Sequence, residues 1–223
     1  MKKLNIFLLA ILLLQCIYNP VFSQQKIPFL SAIEAFKKQD SVNASPKRAI
    51  LLVGSSSFTN WKDVQDYFPG YTIINRGFGG SSLPDLIRFA PDIIYPYDPS
   101  QVLIYCGEND FPSGVNTTAD TVYNRFTRLF GMIRANLPKA EIIYVSMKPS
   151  PSRLKYLNEF RLANEKIKHF LKKKRNTNFI DVYSKMILND GSPMTDIFLN
   201  DKLHMNKKGY LIWQSAFKPY LKK

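Results

Sequence analysis

The chain has 223 residues, 45% of them hydrophobic, and a formal charge of +14. Its two cysteines, Cys16 and Cys106, exclude a disulfide-stapled scaffold, and no internal repeat or low-complexity segment breaks the sequence. A fold of this size must be held by packing.

Residues 1–23 read as an export signal. Lys2 and Lys3 precede the apolar stretch "LNIFLLAILLLQC", which is short for a bilayer span, and "VFS" before Gln24 sets the cleavage after Ser23. This implies a periplasmic or extracellular protein. A lipoprotein signal ending at Cys16 ranks second, because Gln15 is larger than the small residue such signals place there. An uncleaved membrane anchor ranks third. Residues 24–223 then form one domain of charge +12, the loss of Lys2 and Lys3 from +14. Cys106 ends an apolar run and reads as a small buried hydrophobe.

Five apolar runs follow in order: "RAILLVG" (48–54), "YTIINRG" (71–77), "QVLIYCG" (101–107), "EIIYVSM" (141–147) and "NFIDVY" (178–183). They are continuous rather than alternating, as strands buried on both faces are. Between them come helical stripes. Val122, Phe126, Leu129, Phe130, Ile133 and Leu137 make one. Leu157, Phe160, Asn164, Ile167, Phe170 and Leu171 make another, and Trp213, Phe217 and Leu221 a third. Strand alternating with helix predicts a three-layer α/β/α sandwich around a parallel sheet. The basic segment "KIKHFLKKKR" (166–175) reads as a solvated helix face with cations at its C-terminal end. It has few aromatics and no nucleic-acid-binding motif, so specific nucleic-acid binding is not expected. Weak attraction to an anionic envelope surface is.

In an open parallel sheet, ligands bind beyond the carboxyl ends of the strands. Those ends carry Gly54-Ser55-Ser56-Ser57, "NRGFGGSS" (75–82), Gly107-Glu108-Asn109-Asp110, "MKPSPSR" (147–153) and, before the last helix, "DKLHMNKKGY" (201–210). Singly, each has a structural explanation. The serines suit a helix cap, the glycines a turn, and Asn109 and Asp110 a turn as well. Together they supply a hydroxyl nucleophile, a histidine base and a carboxylate three residues before it. They also supply backbone and amide donors for an oxyanion. Of the two histidines, His169 lies in the lysine-rich helix, and His204 is the one at a strand-end position beside a carboxylate.

These blocks resemble the SGNH hydrolases, also called GDSL-type esterases and lipases, from Gly54 to about Trp213. The family's Gly-Asp-Ser reads Gly54-Ser55-Ser56, so the resemblance makes Ser56 the nucleophile. Asn75 to Gly80 matches the second block and gives Gly80 as an oxyanion donor. Gly-x-Asn-Asp is matched in full and gives Asn109. Asp-x-x-His gives Asp201 and His204. Ser55 stands where the family has Asp, and Met205 where Pro is common after the histidine. Position 58 is Phe, which separates the chain from α/β-hydrolases with Gly-x-Ser-x-Gly. The family implies a flavodoxin-like sheet of about five parallel strands and hydrolysis through an acyl-enzyme, with the Ser56 N–H as a further oxyanion donor. It implies no cofactor, and the sequence shows no cluster with metal-ligand spacing.

The expected substrate is a short acyl ester, acetyl above all, on a glycan. A phospholipid or lysophospholipid acylhydrolase is the alternative, and a catalytically silent glycan-binding module on the same fold another. The segments at the strand ends are polar or small, and no apolar helix is read near them. Lys148 and Arg153 are candidates to contact the alcohol part or to be solvated surface cations. One of the serines beside Ser56 is expected to cap the following helix.

Overall fold

All five apolar runs form strands in the computed structural model, which describes residues 27–223. The export signal read at 1–23 and the Cys16 alternative lie outside the described residues. The strands are β1 (Ile50–Gly54), β2 (Ile73–Gly77), β3 (Gln101–Tyr105), β4 (Glu141–Val145) and β5 (Thr177–Ile180). Every pairing is parallel and the order is β2-β1-β3-β4-β5. That is the flavodoxin-like order, whose reversal beside β1 opens a crevice above the carboxyl ends of β1 and β3.

The continuous hydrophobicity of the runs follows from this position. In β1, Leu51 and Val53 pack on one side of the sheet, and Ile50 and Leu52 on the other. β3 and β4 divide in the same way, with Val102 and Ile104, and Ile142 and Tyr144, on the first side. Each such buried aliphatic side chain stabilises the fold by roughly 1.5–3 kcal/mol relative to exposure. Cys106 is a free buried thiol.

One face is covered by α1 (Leu30–Val42), then, across the sheet from the short helices α2 (Ser56–Thr59) and α3 (Val64–Tyr67), by α4 (Leu83–Ile93). After the one-turn α5 (Asp110–Ser113), α6 (Ala119–Asn136) and α7 (Leu157–Lys172) complete that face. The second face holds α2, α3, α8 (Lys207–Phe217) and the segment that leads into α8. The stripes read from sequence fall in α6, α7 and α8, except that Leu137 and Leu221 lie beyond the ends of α6 and α8. The lysines around the end of α7 are exposed, as read.

Besides the one-turn α3 and α5, the longer helices α1 and α4 were not read from sequence. α4 opens with a capping box, in which Asp85 accepts from the Ser82 backbone N–H at 2.9 Å and from its hydroxyl at 2.6 Å. α1 is a different case, because it buries only Ile33 and so lacks a readable apolar stripe. A half-buried ion pair anchors it instead. Asp40 of α1 binds Arg76 at the end of β2, and the guanidinium lies over the Phe36 ring at 5.2 Å. Among the described residues no helix is long and apolar enough to cross a membrane.

Candidate functional site

Gly54 closes β1 with φ +144°, and a Cβ there would lie 1.9 Å from the Tyr105 carbonyl oxygen. Only glycine lets the chain pass β3 this closely while the Ser55 N–H still donates to that carbonyl at 3.0 Å. The chain then turns at once into α2, and Ser56 is its first residue. A four-residue helix has little stability of its own. It is held from outside: Tyr210 of α8 donates to the Ser57 carbonyl at 3.0 Å, and Asn75 of β2 to the Phe58 carbonyl at 2.7 Å.

Ser56 Oγ lies 3.0 Å from His204 Nε2, and His204 Nδ1 lies 2.6 Å from Asp201 Oδ2. The other Asp201 oxygen accepts the backbone N–H groups of Leu203 and His204, each at 2.9 Å. The hydrogen bond from the His204 ring is the largest influence on Asp201, followed by the His204 backbone N–H, and together they lower its carboxyl to about 2. An ionised carboxylate can only accept, so Nδ1 carries the ring proton. Nε2 of the neutral imidazole is left with its lone pair toward the Ser56 hydroxyl. The 201–204 turn is fixed by Leu199, whose N–H donates to the His204 carbonyl at 2.8 Å, and by Ser152, which donates to the Lys202 carbonyl at 3.1 Å.

The glycine turn after β2 lies against the same serine. A Cβ at Gly79 would stand 3.8 Å from Ser56 Cβ, and Gly80 follows with φ +86°. From the end of β3, Asn109 donates through Nδ2 to Ser55 Oγ at 2.6 Å and to the Ser81 carbonyl at 3.2 Å. Its neighbour Asp110 accepts the Leu83 N–H at 2.9 Å and Arg125 at 2.8 Å, which ties the turn after β3 to the start of α4. Burial raises the Asp110 carboxyl above its ordinary range.

All five residues singled out in the sequence therefore meet at one edge of the sheet. Ser56, His204 and Asp201 form a single hydrogen-bonded line, and Gly80 and Asn109 flank it. Such an arrangement can draw a proton from a hydroxyl and present donors to a developing oxyanion.

The family model of the GDSL-like Lipase/Acylhydrolase family matches residues 42–212. The chain belongs to this family. It is accordingly a carboxylic ester hydrolase. No curated protein matches it. Solved structures share the family fold at low identity. A GDSL-like lipase from Bacteroides thetaiotaomicron superposes with a TM-score of 0.73 at 19% identity, over 84% of this chain and 95% of that one. A member of the lipolytic G-D-S-L family from Veillonella parvula gives 0.65 at 18%, over 78% and 97%. A carbohydrate esterase family 3 structure from Talaromyces cellulolyticus gives 0.58 at 16%, over 77% and 94%.

Within this GDSL-like fold, three expectations from sequence are corrected. First, neither serine beside Ser56 caps α2 through its side chain. Ser55 holds the N-cap position without a capping bond, because its hydroxyl is engaged by Asn109, and the Ser57 hydroxyl is buried with no partner among the described residues. Second, Lys148 is neither a surface cation nor exposed to substrate. Its side chain is only 2% exposed, and it is ion-paired with Glu108 at 2.9 Å. Lys148 lies three residues beyond the end of β4, a strand buried along its whole length. Third, an apolar element does reach the strand ends. Phe29, at the start of α1, packs edge-on to Phe78 at 5.4 Å, and its ring lies 3.7 Å from where a Gly80 Cβ would be. Ile27 and Leu30 are exposed beside it. His169 is exposed on α7, and burial pushes the Cys106 thiol well above its ordinary range.

Proposed function

We propose that this GDSL-family hydrolase is a serine esterase of short acyl esters, acetyl foremost, working through an acyl-enzyme. The observation that carries the reading is the line from Ser56 Oγ through His204 to Asp201, at 3.0 and 2.6 Å. In this reading His204 Nε2 takes the Ser56 proton as Oγ attacks the ester carbonyl. Asp201 holds the tautomer and stabilises the imidazolium. The backbone N–H groups of Ser56 and Gly80 and the Asn109 amide receive the oxyanion. The longer bond from Asn109 to the Ser81 carbonyl, 3.2 Å, is the one that yields to it. His204 then gives the proton to the leaving alcohol, and water activated by the same ring releases the acid.

Polar segments around the site, and the carbohydrate esterase among its structural neighbours, support an acetylated glycan as substrate. The export signal read at residues 1–23 would direct the enzyme to esters outside the cytoplasm. A lipid acylhydrolase is the second reading, and the exposed apolar Ile27 and Leu30 close to Phe29 in the chain favour it. The test is a screen of the purified protein against aryl acetates, acetylated sugars and lysophospholipids, with fluorophosphonate labelling followed to the modified residue. Labelling at Ser56 with turnover of acetyl esters is expected. Labelling elsewhere would overturn the assignment of the nucleophile.

A further inference from the structure

Asn109 stands between two buried carboxylates, and each has its own cation. Asp110 is held by Arg125, as described. On the other side Glu108 receives Lys148 through both oxygens, at 2.9 and 3.1 Å. The Tyr105 hydroxyl donates to the same carboxylate, and Lys148 Nζ lies 3.3 Å from that hydroxyl. The Lys148 and Glu108 side chains are 2% and 5% exposed. Burial, and then the Glu108 charge, push the Tyr105 hydroxyl well above its ordinary range, so it stays a donor.

A buried ion pair is poor value as a stabiliser. The desolvation of both ions offsets most of their attraction, and apolar residues of the same shape often serve as well or better. What such a pair does supply is a fixed geometry. Its position makes that geometry relevant. Glu108 is bonded directly to the chain of Asn109. Tyr105 accepts the Ser55 N–H on its carbonyl, so one residue joins the turn that carries Ser56 to the turn that carries Asn109. Lys148 comes from the end of β4 and closes the set across three loops.

We propose that Lys148, Glu108 and Tyr105 are positioning residues that hold the turn after β3 so that the Asn109 amide and the Ser56 backbone N–H face a common point. The inference rests on the reading of Asn109 as an oxyanion donor. Displacement of a catalytic group by about 1 Å costs on the order of 10²-fold in rate, and a loosened turn would act on the transition state rather than on substrate binding.

The test is a cycle in kcat on an aryl acetate, with enzyme concentration set by fluorophosphonate titration so that only folded protein is counted. The double variant Lys148→Met/Glu108→Gln leaves no unpaired buried charge. Its kcat should fall by roughly 10–10²-fold with KM unchanged. In an Asn109→Ala background the same change should cost less than about threefold, because the group it positions is gone. Wild-type kcat in the double variant, or an equal loss in both backgrounds, would overturn the proposal. Should the double variant not fold, Tyr105→Phe decides by the same cycle, since it keeps the ion pair and removes one donor. An Asn109→Ala enzyme as fast as wild type would instead sink the oxyanion reading itself.

Discussion

Ser55 Oγ accepts a hydrogen bond from Asn109 Nδ2 at 2.6 Å, so the residue that stands in place of the family's usual Asp holds the amide flanking Ser56. A hydroxyl and a carboxylate oxygen are interchangeable here as acceptors. This explains how the Gly54-Ser55-Ser56 sequence departs from Gly-Asp-Ser and leaves the arrangement intact. Ser55→Ala should lower kcat by about tenfold through a misplaced amide, and Ser55→Asp should keep most activity. Ser57→Ala should be close to wild type, because the Ser57 hydroxyl has no partner among the described residues. Steady-state kinetics on an aryl acetate distinguish the three. A silent Ser55→Ala would show that the amide needs no such anchor.

Ser56→Ala should remain folded and lose activity by roughly 10⁴-fold or more. Fluorophosphonate should label wild type at Ser56 and leave this variant unmodified. Thiol reagents should not inactivate the native enzyme, since Cys106 is buried and its thiol is held protonated. Rapid inactivation by such a reagent would place Cys106 closer to the chemistry than the structure does.

Asn109→Ala should lower kcat by about 10²–10³-fold with little change in KM, the signature of a donor that acts on transition-state charge. A raised KM with kcat preserved would make Asn109 a substrate-binding residue.

The pH dependence follows from Asp201. Its carboxyl is lowered to about 2, so its ionised form persists well into acid. A depressed carboxyl contributes stability that is present above its unfolded value and is lost as pH falls toward 2. With the side chain 47% exposed, that contribution is weakened by solvent screening. The Asp201 carboxylate should therefore stay ionised down to about pH 4, which its carboxyl resonance in an NMR titration would report. A carboxyl resonance of Asp201 that titrates between pH 4 and 7 would overturn this. Asp201→Asn should cost on the order of 10⁴-fold, because the amide favours the wrong tautomer.

The core and the pairing of Asp201 with His204 were legible because each has a local cause, whereas Ser56, 148 residues from His204, was picked out by the family resemblance. Buried strands declare themselves as unbroken apolar runs, and the Asp-x-x-His spacing puts both side chains on one side of a turn. What escaped was held by long-range partners. α1 is fixed by the pairing of Asp40 with Arg76 rather than by an apolar stripe. The fate of Lys148 was decided by Glu108, 40 residues away in the chain. The role of Ser55 was decided by Asn109, 54 residues away. Sequence spacing carries no sign of which buried charge meets which.

Acyl size is where the structure alters the expectation most. A long acyl chain needs apolar contact to recover about 0.8 kcal/mol per methylene. The sequence offered no such surface, whereas the fold brings Phe29 to the Gly80 side of the site, with its ring on Phe78. One buried-edge aromatic can seat a few methylenes and then blocks further extension. The relative kcat/KM for nitrophenyl esters of two to sixteen carbons should therefore peak at two to four. Phe29→Ala should lower the rate on the acetyl ester little and raise that on six- to eight-carbon esters severalfold relative to it, by opening the wall. The same variant should keep its fold, since Asp40 and Arg76 still anchor α1. A wild-type maximum at twelve or more carbons would reject the acetyl-ester reading and favour the lipid one. An acyl profile that Phe29→Ala leaves unchanged would remove Phe29 from the acyl site.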